Sequence, residues 1–415
     1  MDFDDTPEEA EFRAKVRAWL EAEKPDDLLQ ELLAAEVVRE PAERTAGLIR
    51  ASKAWQQRKF AGGWACLSWP KAFGGRGATP IERVIWDQEE SRYAALSTIF
   101  QIGQGMCGPT LMAFASDEQK QRHLPPMASG EEIWCQLFSE PAAGSDLAGL
   151  LTRAERAGDE WIVNGQKVWT TGAHFSDQGI VIVRTDPNVA KHKGLTMFFL
   201  DMKSRGVEVR PIRQASGQSG FNEVYFTEVR IPDAQRLGKV GDGWNVSLTT
   251  LMNERFSIGS RIATGAPEYF ELACKTRLAD GTLAIDDPEV RSKLASWTAR
   301  ANGLKYTGYR AISALSRGER PGPENSIGKL VAASMMQEIA MAAFDLQGPA
   351  GALARSDKGA AGKLHQMLYS APALRIAGGS DEIMRNIIAE RVLGLPPEIR
   401  VDKDVPFREI PTKGR

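Results

Sequence analysis

Two stretches in the middle of the chain hold the residues best placed to do chemistry. The first, Gln136-Leu-Phe-Ser-Glu-Pro-Ala-Ala-Gly-Ser-Asp146, continues an apolar, strand-like run from Ile133 to Phe138 and turns at Pro141, Ala142, Ala143 and Gly144. Small residues let a backbone approach a ligand closely. Ser139, Ser145 and the freed amides around Gly144 are donors for an anion or an aromatic ring edge. The second, Asn164-Gly-Gln-Lys-Val-Trp-Thr-Thr-Gly172, places Trp169 and Thr171 on a strand. Its Asn164-Gly165 pair predicts a type I′ hairpin turn. Two hydroxyl-rich segments and an indole in one β-region make a seat for a flat heteroaromatic cofactor.

The elements that must carry these stretches change period twice along the chain. Residues 1 to 131 read as helical. Thr6, Pro7 and Glu9 have the arrangement of a capping box, and Phe12, Val16, Trp19 and Leu20 recur at helical spacing. A second helix is expected from Ala46 to Phe60, Pro80 restarts one, Ser97 to Ala115 predicts a buried one, and Ser116-Asp-Glu-Gln119 begins the next. Gly74-Gly-Arg-Gly77 lacks the Lys-Ser/Thr of a phosphate loop and reads as a tight connector. From 132 to 243 the period is two: Trp161-Ile-Val, Ile180 to Val183, Leu195 to Leu200 and Glu223 to Phe226 are short β-rich runs between turn residues. They predict a small antiparallel barrel or sandwich. Residues 244 to 400 return to helical period, and 401 to 415 read as a charged, Pro-containing tail. The fold class expected is therefore α+β: an N-terminal helical domain, a middle β-domain and a C-terminal helical bundle.

Composition narrows the function classes. The 415 residues are 42% hydrophobic and 26% charged with a net charge of −2, ordinary for two or three globular domains and without a basic field for nucleic acid. No apolar run approaches the ~20 residues of a membrane span, and the acidic start lacks a signal pattern. Cys66, Cys107, Cys135 and Cys274 form no Cys-x-x-Cys pair, which argues against a disulfide framework or a zinc site and fits a reducing cytoplasm. His123, His174, His192 and His365 have no metal-ligand spacing, so no metal is expected.

The paired stretches "SEPAAGSD" and "GQKVWTTG", in this order, resemble the flavin-binding middle domain of the acyl-CoA dehydrogenases. The resemblance runs from "TPEEAEFRAKVRAWL" to "RNIIAERVLGLP". It implies FAD as cofactor and α,β-dehydrogenation of an acyl-CoA thioester to the trans-2-enoyl-CoA. A carboxylate takes the α-proton, flavin N5 takes the β-hydride, and an electron-transfer flavoprotein reoxidises the flavin. Carried over position by position, Gln136, Phe138 and Ser139 match flavin-ring contacts, and Ser145 matches a residue near the pyrophosphate and the acyl-CoA. Trp169 flanks the ring, and Thr171 offers its hydroxyl toward N5. Ser380 and Glu382 match contacts to the adenosine half. Asn253, Arg255 and Gly379 fall on the substrate side.

The chain departs from the family in two places. Most members carry the base in a C-terminal Glu-Gly-Thr-Ser segment, where this chain has Gly378-Gly379-Ser380-Asp381. A branch that includes isovaleryl- and long-chain-type enzymes carries the base on the first long C-terminal helix, beside an arginine. Glu254 in Leu251-Met-Asn-Glu-Arg-Phe256 matches that position, and Asp381 and Glu382 are its competitors. Gly378 keeps the backbone N–H that in the family helps hold the thioester carbonyl. An Arg-x-x-Phe-Gly segment that reaches the neighbouring subunit's FAD in many relatives is missing. The family implies a homotetramer, while a dimer or a hetero-oligomer stays open. The alternatives are a flavin oxidase or monooxygenase on the same fold, and a non-catalytic subunit of a hetero-oligomeric dehydrogenase.

Overall fold

The computed structural model describes residues 5–35, 38, 40–258, 265–317, 322, 325–353, 359–397, 399, 402 and 404–410. Of residues 253–258, 315, 316 and 325 it describes the backbone alone. Contacts divide the chain into two units. One comprises Asp4–Arg213, Ser219–Glu254 and Ile399–Arg415; the other comprises Gln214–Gln218 and Arg255–Glu398.

In the first unit the local signals set the helix starts. Helix α1 (Pro7–Glu23) begins with the Thr6 hydroxyl accepting from the Glu9 amide while Glu9 reaches back. After α2 (Asp26–Ala35) and α3 (Pro41–Ala61), the same reciprocal cap at Thr79 and Glu82 opens α4 (Pro80–Glu89). Their inner faces meet in a cluster rich in tryptophan, with Trp64 and Trp86 stacked at 5.1 Å and Trp55 fully buried. Each such side chain contributes about 1.5–3 kcal/mol by leaving water.

The expected helix from Ser97 to Ala115 is instead a 3₁₀ run to Phe100, a π turn at Gly103–Cys107 and a short α5 (Gly108–Phe114). Gly108 shows why. A Cβ there would stand 2.1 Å from the Trp69 ring, so the backbone is drawn in against an indole and the regular winding gives way. Ser116 then caps α6 (Asp117–Ser129) as expected.

The β-strands are β1 (Trp134–Leu137), β2 (Arg153–Ala157), β3 (Glu160–Thr171), β4 (Gln178–Arg184), β5 (Leu195–Asp201), β6 (Val207–Ile212), β7 (Phe221–Pro232) and β8 (Arg236–Leu237). They form one mixed sheet in the order β6-β7-β3-β2-β4-β5-β8, with β1 parallel to β4. Parallel pairing brings β1, which starts the first chemical stretch, into the sheet centre. Its Cys135 and Leu137 are fully buried. The middle region is thus not purely antiparallel.

Two details correct the reading of turns. The β2–β3 hairpin turns at Gly158-Asp159, not at Asn164-Gly165. The latter pair lies inside β3, opposite a bulge in β7 where Glu228 sits at φ +52 and its amide is bonded by the Asn164 side chain at 2.9 Å. The expected tail is also anchored. The Phe407 amide donates to Val189 O at 2.9 Å, and Phe407 and Ile410 are buried.

Helix α7 (Gly243–Ile258) leads out of this unit. The second unit holds α8 (Ala266–Lys275), α9 (Pro288–Ser316), α10 (Asn325–Leu346), α11 (Ala360–Ile376) and α12 (Asp381–Ile387). Its core gathers Tyr269, Trp297, Met335, Ile339 and Leu364. Contrary to expectation, one helix among the described residues, Ser326–Leu346, is long and apolar enough to cross a membrane. Met335, Ile339 and Ala343 of that helix are fully buried in the unit's own core, as suits a core helix of a globular protein.

Candidate functional site

In the first unit the two chemical stretches are stitched together. The Val168 amide donates to Ser139 O at 2.9 Å, which puts the end of β1 beside the last turn of β3. Beneath that contact lies a fully buried ion pair. Lys167 Nζ donates to Glu140 Oε1 at 2.8 Å and to Phe138 O at 3.0 Å. Glu140 also accepts the amides of Leu151 (2.6 Å) and Thr152 (3.0 Å), closing the loop that contains Gly144 and Ser145. Burial works against the charge on Glu140, but Lys167 and the amides outweigh it and hold the carboxyl below its ordinary range.

The bottom of that loop is held by two further cations. Arg184 donates to Ala148 O (2.6 Å), Leu150 O (3.2 Å) and Lys191 O (3.1 Å), with Phe407 lying over its guanidinium at 3.4 Å. Lys191 bridges Asp146 (2.9 Å) and Asp402 (2.5 Å). Burial opposes its charge, yet the two carboxylates prevail and raise its pKa.

These ties leave a specific set of groups facing outward. Trp169 sits in a bulge between Lys167 and Thr170, at φ +60, a strained conformation for a residue with a side chain. Its indole is 57% exposed, touched on its edge by Phe221 at 5.9 Å. Thr171 is exposed and Ser139 half-buried, and neither hydroxyl has a partner among the described residues. Gln136 is half-buried, Phe138 is buried behind it, and Ser145 is exposed. A Cβ added at Gly144 would meet nothing, so the loop backbone is open to a close approach. An uncovered indole, free hydroxyls and an open small-residue loop fit a flat ring system with an anionic extension, as FAD is.

The second unit carries the other expected residues. Gly378 and Gly379 follow the end of α11 at φ +65 and +95, conformations that favour glycine. Ser380 caps α12, its hydroxyl accepting the Ile383 amide at 3.4 Å, and Glu382 is exposed in the first turn. Asp381 is not available as a base. It is buried and doubly bonded to Arg375, at 2.7 Å to Nε and 2.6 Å to Nη2. Asn253, Glu254 and Arg255 lie on α7, and their side chains are outside the described residues.

Glu140, Lys167, Arg184 and Lys191 were missed as part of the site's frame. Lys167 had a weak signal: a lysine on a predicted strand immediately before Val168 and Trp169. His123 is satisfied by Glu132 at 3.0 Å, His174 by Asn222 at 3.1 Å, and among the described residues no acidic, His or Cys group is placed to hold a metal. Burial pushes the thiols of Cys66 and Cys135 up to about 12, which leaves them inert.

Three segments match family models: residues 6–131 that of the acyl-CoA dehydrogenase N-terminal domain, 135–229 that of the middle domain and 241–393 that of the C-terminal domain. The chain is similar to acyl-CoA dehydrogenase IpdE1 of Mycobacterium tuberculosis, 39% identical over 395 residues, covering 94% of this chain and 98% of that protein. It is also similar to acyl-CoA dehydrogenase FadE34 of the same organism, 38% identical over 329 residues, covering 79% of this chain and 44% of that protein. Among solved structures, the ChsE4-ChsE5 complex from Mycobacterium tuberculosis superposes with a TM-score of 0.76 at 29% identity, over 96% of this chain and 100% of that one. The Tcur3481-Tcur3483 steroid ACAD does so at 0.77 and 26%, again over 96% and 100%.

Proposed function

The chain belongs to the acyl-CoA dehydrogenase family, and from that premise we propose that it desaturates an acyl-CoA thioester between the α and β carbons with Glu254 as base. The observation that carries the reading is the stitched pair of stretches, which holds a strained, exposed Trp169 beside the free hydroxyls of Ser139 and Thr171. FAD, when bound, would supply the acceptor for the β-hydride, with an electron-transfer flavoprotein as its proposed oxidant.

The chain's own residues do the rest. Gln136, Phe138, Ser139, Trp169 and Thr171 hold the ring, and Ser145 and the open Gly144 backbone take the pyrophosphate end. Ser380 and Glu382 take the adenosine half, and Asn253, Arg255 and Gly379 bind on the substrate side. The Gly378 N–H receives the thioester oxygen, where negative charge develops as the α-proton leaves. Glu254 takes that proton. A glutamate's ordinary pKa of ~4.3 rises when substrate excludes water, which improves it as a base. Burial of Asp381 against Arg375 supports Glu254 by removing a competitor.

Glycine at 378 frees volume next to the α-carbon, so bulky, branched or ring-bearing acyl groups are the proposed substrates. The steroid ACAD among the similar structures supports this. Exposed Phe270, Met341, Leu353 and Leu393 in the helical unit support a homo-oligomer, a dimer or tetramer. Four free thiols support a reducing cytoplasm as its setting. The ChsE4-ChsE5 likeness favours one second reading, a subunit that needs a different partner chain to complete its cofactor site.

The test is anaerobic flavin bleaching by a panel of acyl-CoAs. Bulky acyl-CoAs are expected to bleach fastest, and Glu254→Gln to slow bleaching by about 10²–10⁴-fold with FAD retained. Adding Gly378→Glu to that variant is expected to recover part of the rate, limited by ~1–2 kcal/mol of strain at φ +65. Wild-type bleaching in Glu254→Gln refutes the base. Protein that binds no FAD alone but does so with a co-expressed relative selects the second reading.

A further inference from the structure

The turn that carries Gly378 has little stiffness of its own. Two consecutive glycines at φ +65 and +95 impose no side-chain restriction on their peptide planes. A side chain at 379 would also have to displace Cε of the buried Met384, which lies 2.4 Å from where its Cβ would stand. Yet an N–H that receives a developing oxyanion must point one way before substrate arrives. Something outside the turn has to hold it.

The group in place is an ammonium. Lys329, on α10, is buried, and its Nζ donates to Arg375 O at 3.3 Å, in the last turn of α11, and to Gly379 O within the turn itself. Its charge lies 3.9 Å from Asp381 Oδ1, an oxygen without a hydrogen-bond partner among the described residues. Arg375 closes the ring from the other side, bonding Asp381 through Nε and Nη2 and Gln337 of α10 through Nη1 at 2.9 Å. One cation thus ties three pieces: the carbonyl end of α11, the Gly379 peptide and the first residue of α12. On one side of Gly378, Ala377 is fixed by its bond to Ala373 O at 2.8 Å; on the other, Gly379 O is fixed by Lys329.

We propose that Lys329 is a positioning residue for the reaction: its ammonium, braced by Asp381 and Arg375, holds the Gly378–Gly379 turn so that the Gly378 N–H is aimed before the thioester binds. This rests on the reading that the Gly378 N–H receives the thioester oxygen. Lys329 touches neither substrate nor reacting atoms in this role; it acts through the peptide it holds.

The test uses the holoenzyme and its Lys329→Met, Lys329→Gln and Lys329→Arg variants. Two readouts are taken: hydrogen–deuterium exchange of the amides from 378 to 380, and anaerobic bleaching by the fastest acyl-CoA of the panel across its concentration range. Lys329→Met is expected to keep its FAD and to exchange these amides at least tenfold faster. Its bleaching rate at saturation is expected to fall ~10–100-fold, less than the 10²–10³ lost on deleting an oxyanion donor. The half-saturating concentration should move less than about threefold, because the contact strengthens as charge develops. Lys329→Arg should restore most of the rate. Exchange and saturated rate both at wild-type values overturn the proposal. So does an Arg variant no faster than Met. Should Lys329→Met fail to fold, Lys329→Gln, which removes the charge and is too short to keep both carbonyl contacts, decides in the same way. If no acyl-CoA bleaches the wild type, the functional reading fails, and exchange alone decides whether Lys329 holds the turn.

Discussion

Removing Lys167 tests the frame of the flavin-side stretches directly. Lys167→Met keeps the length and apolar stem of the side chain and deletes its charge. Glu140 is then left as a buried carboxylate whose remaining partners are the Leu151 amide at 2.6 Å and the Thr152 amide at 3.0 Å. Breaking one side of a buried ion pair costs ~3–5 kcal/mol. The two amides pull that toward the lower end, and the Phe138 carbonyl left without its Lys167 donor adds ~1 kcal/mol or more. The expected loss is about 4 kcal/mol, a large part of the 5–15 kcal/mol that holds a typical domain.

With a urea slope of ~3 kcal/mol/M, the unfolding midpoint should fall by more than about 1 M, and the purified variant should carry less FAD. The double variant Glu140→Gln, Lys167→Met removes the stranded charge and should recover at least ~2 kcal/mol. The carboxyl of Glu140 is depressed in the folded state, so its contribution is present above the unfolded value of ~4.3 and is lost as pH falls through the folded one. The gap between wild type and Glu140→Gln should therefore close only in acid. A Lys167→Met protein that unfolds within about 0.5 kcal/mol of wild type, fully loaded with FAD, refutes the reasoning.

Two further changes probe neighbouring features. Trp169→Gly relieves a φ of +60 worth ~1–2 kcal/mol and gives back ~0.5–1 kcal/mol to glycine's entropy. The apo-protein should thus melt within a few degrees of wild type while flavin retention on gel filtration drops; unchanged retention counts against a ring-flanking role. Phe407→Ala uncovers the Arg184 guanidinium and should cost ~2–4 kcal/mol and open residues 402–410 to limited proteolysis. An equally resistant variant would show that the segment's other contacts, among them the Lys191–Asp402 pair and buried Ile410, hold it without Phe407.

Local chemistry was the most legible part of the sequence. Thr6 with Glu9, Thr79 before Pro80, and Ser116 start helices because a cap is decided by residues within one turn. The two chemical stretches stood out because small residues, hydroxyls and an indole at those spacings have few other uses. What failed depended on partners far away in the chain. Asn164-Gly165 has the composition of a hairpin turn, but β7 pairs across it and converts it to a bulged strand. Glu140 and Lys167 drew no reading from the sequence, because they meet only where the segment after β1 is bonded to β3 through the Val168 amide and Ser139 O. Asp381 looked like a competing base until Arg375 was seen to occupy it. Residues 401–415 read as a tail because nothing local reveals that Phe407 has a guanidinium to lie on.

The ion pair at the other end of that segment has a consequence for how the protein is made. Asp402 meets Lys191 across 211 residues of chain, and Lys191 is also the residue that grips Asp146. A ribosome releases the β-strands long before it has synthesised the carboxylate that completes their clamp, because the whole run of α8 to α12 comes between. At ~5–20 residues per second, the loop around Ser145 waits on the order of ten seconds or more with its clamp half-built. Closing so long an interval is also entropically slow. A chain released before residue 402 is therefore expected to hold the Asp146 end of that loop through one carboxylate contact fewer than the full chain does.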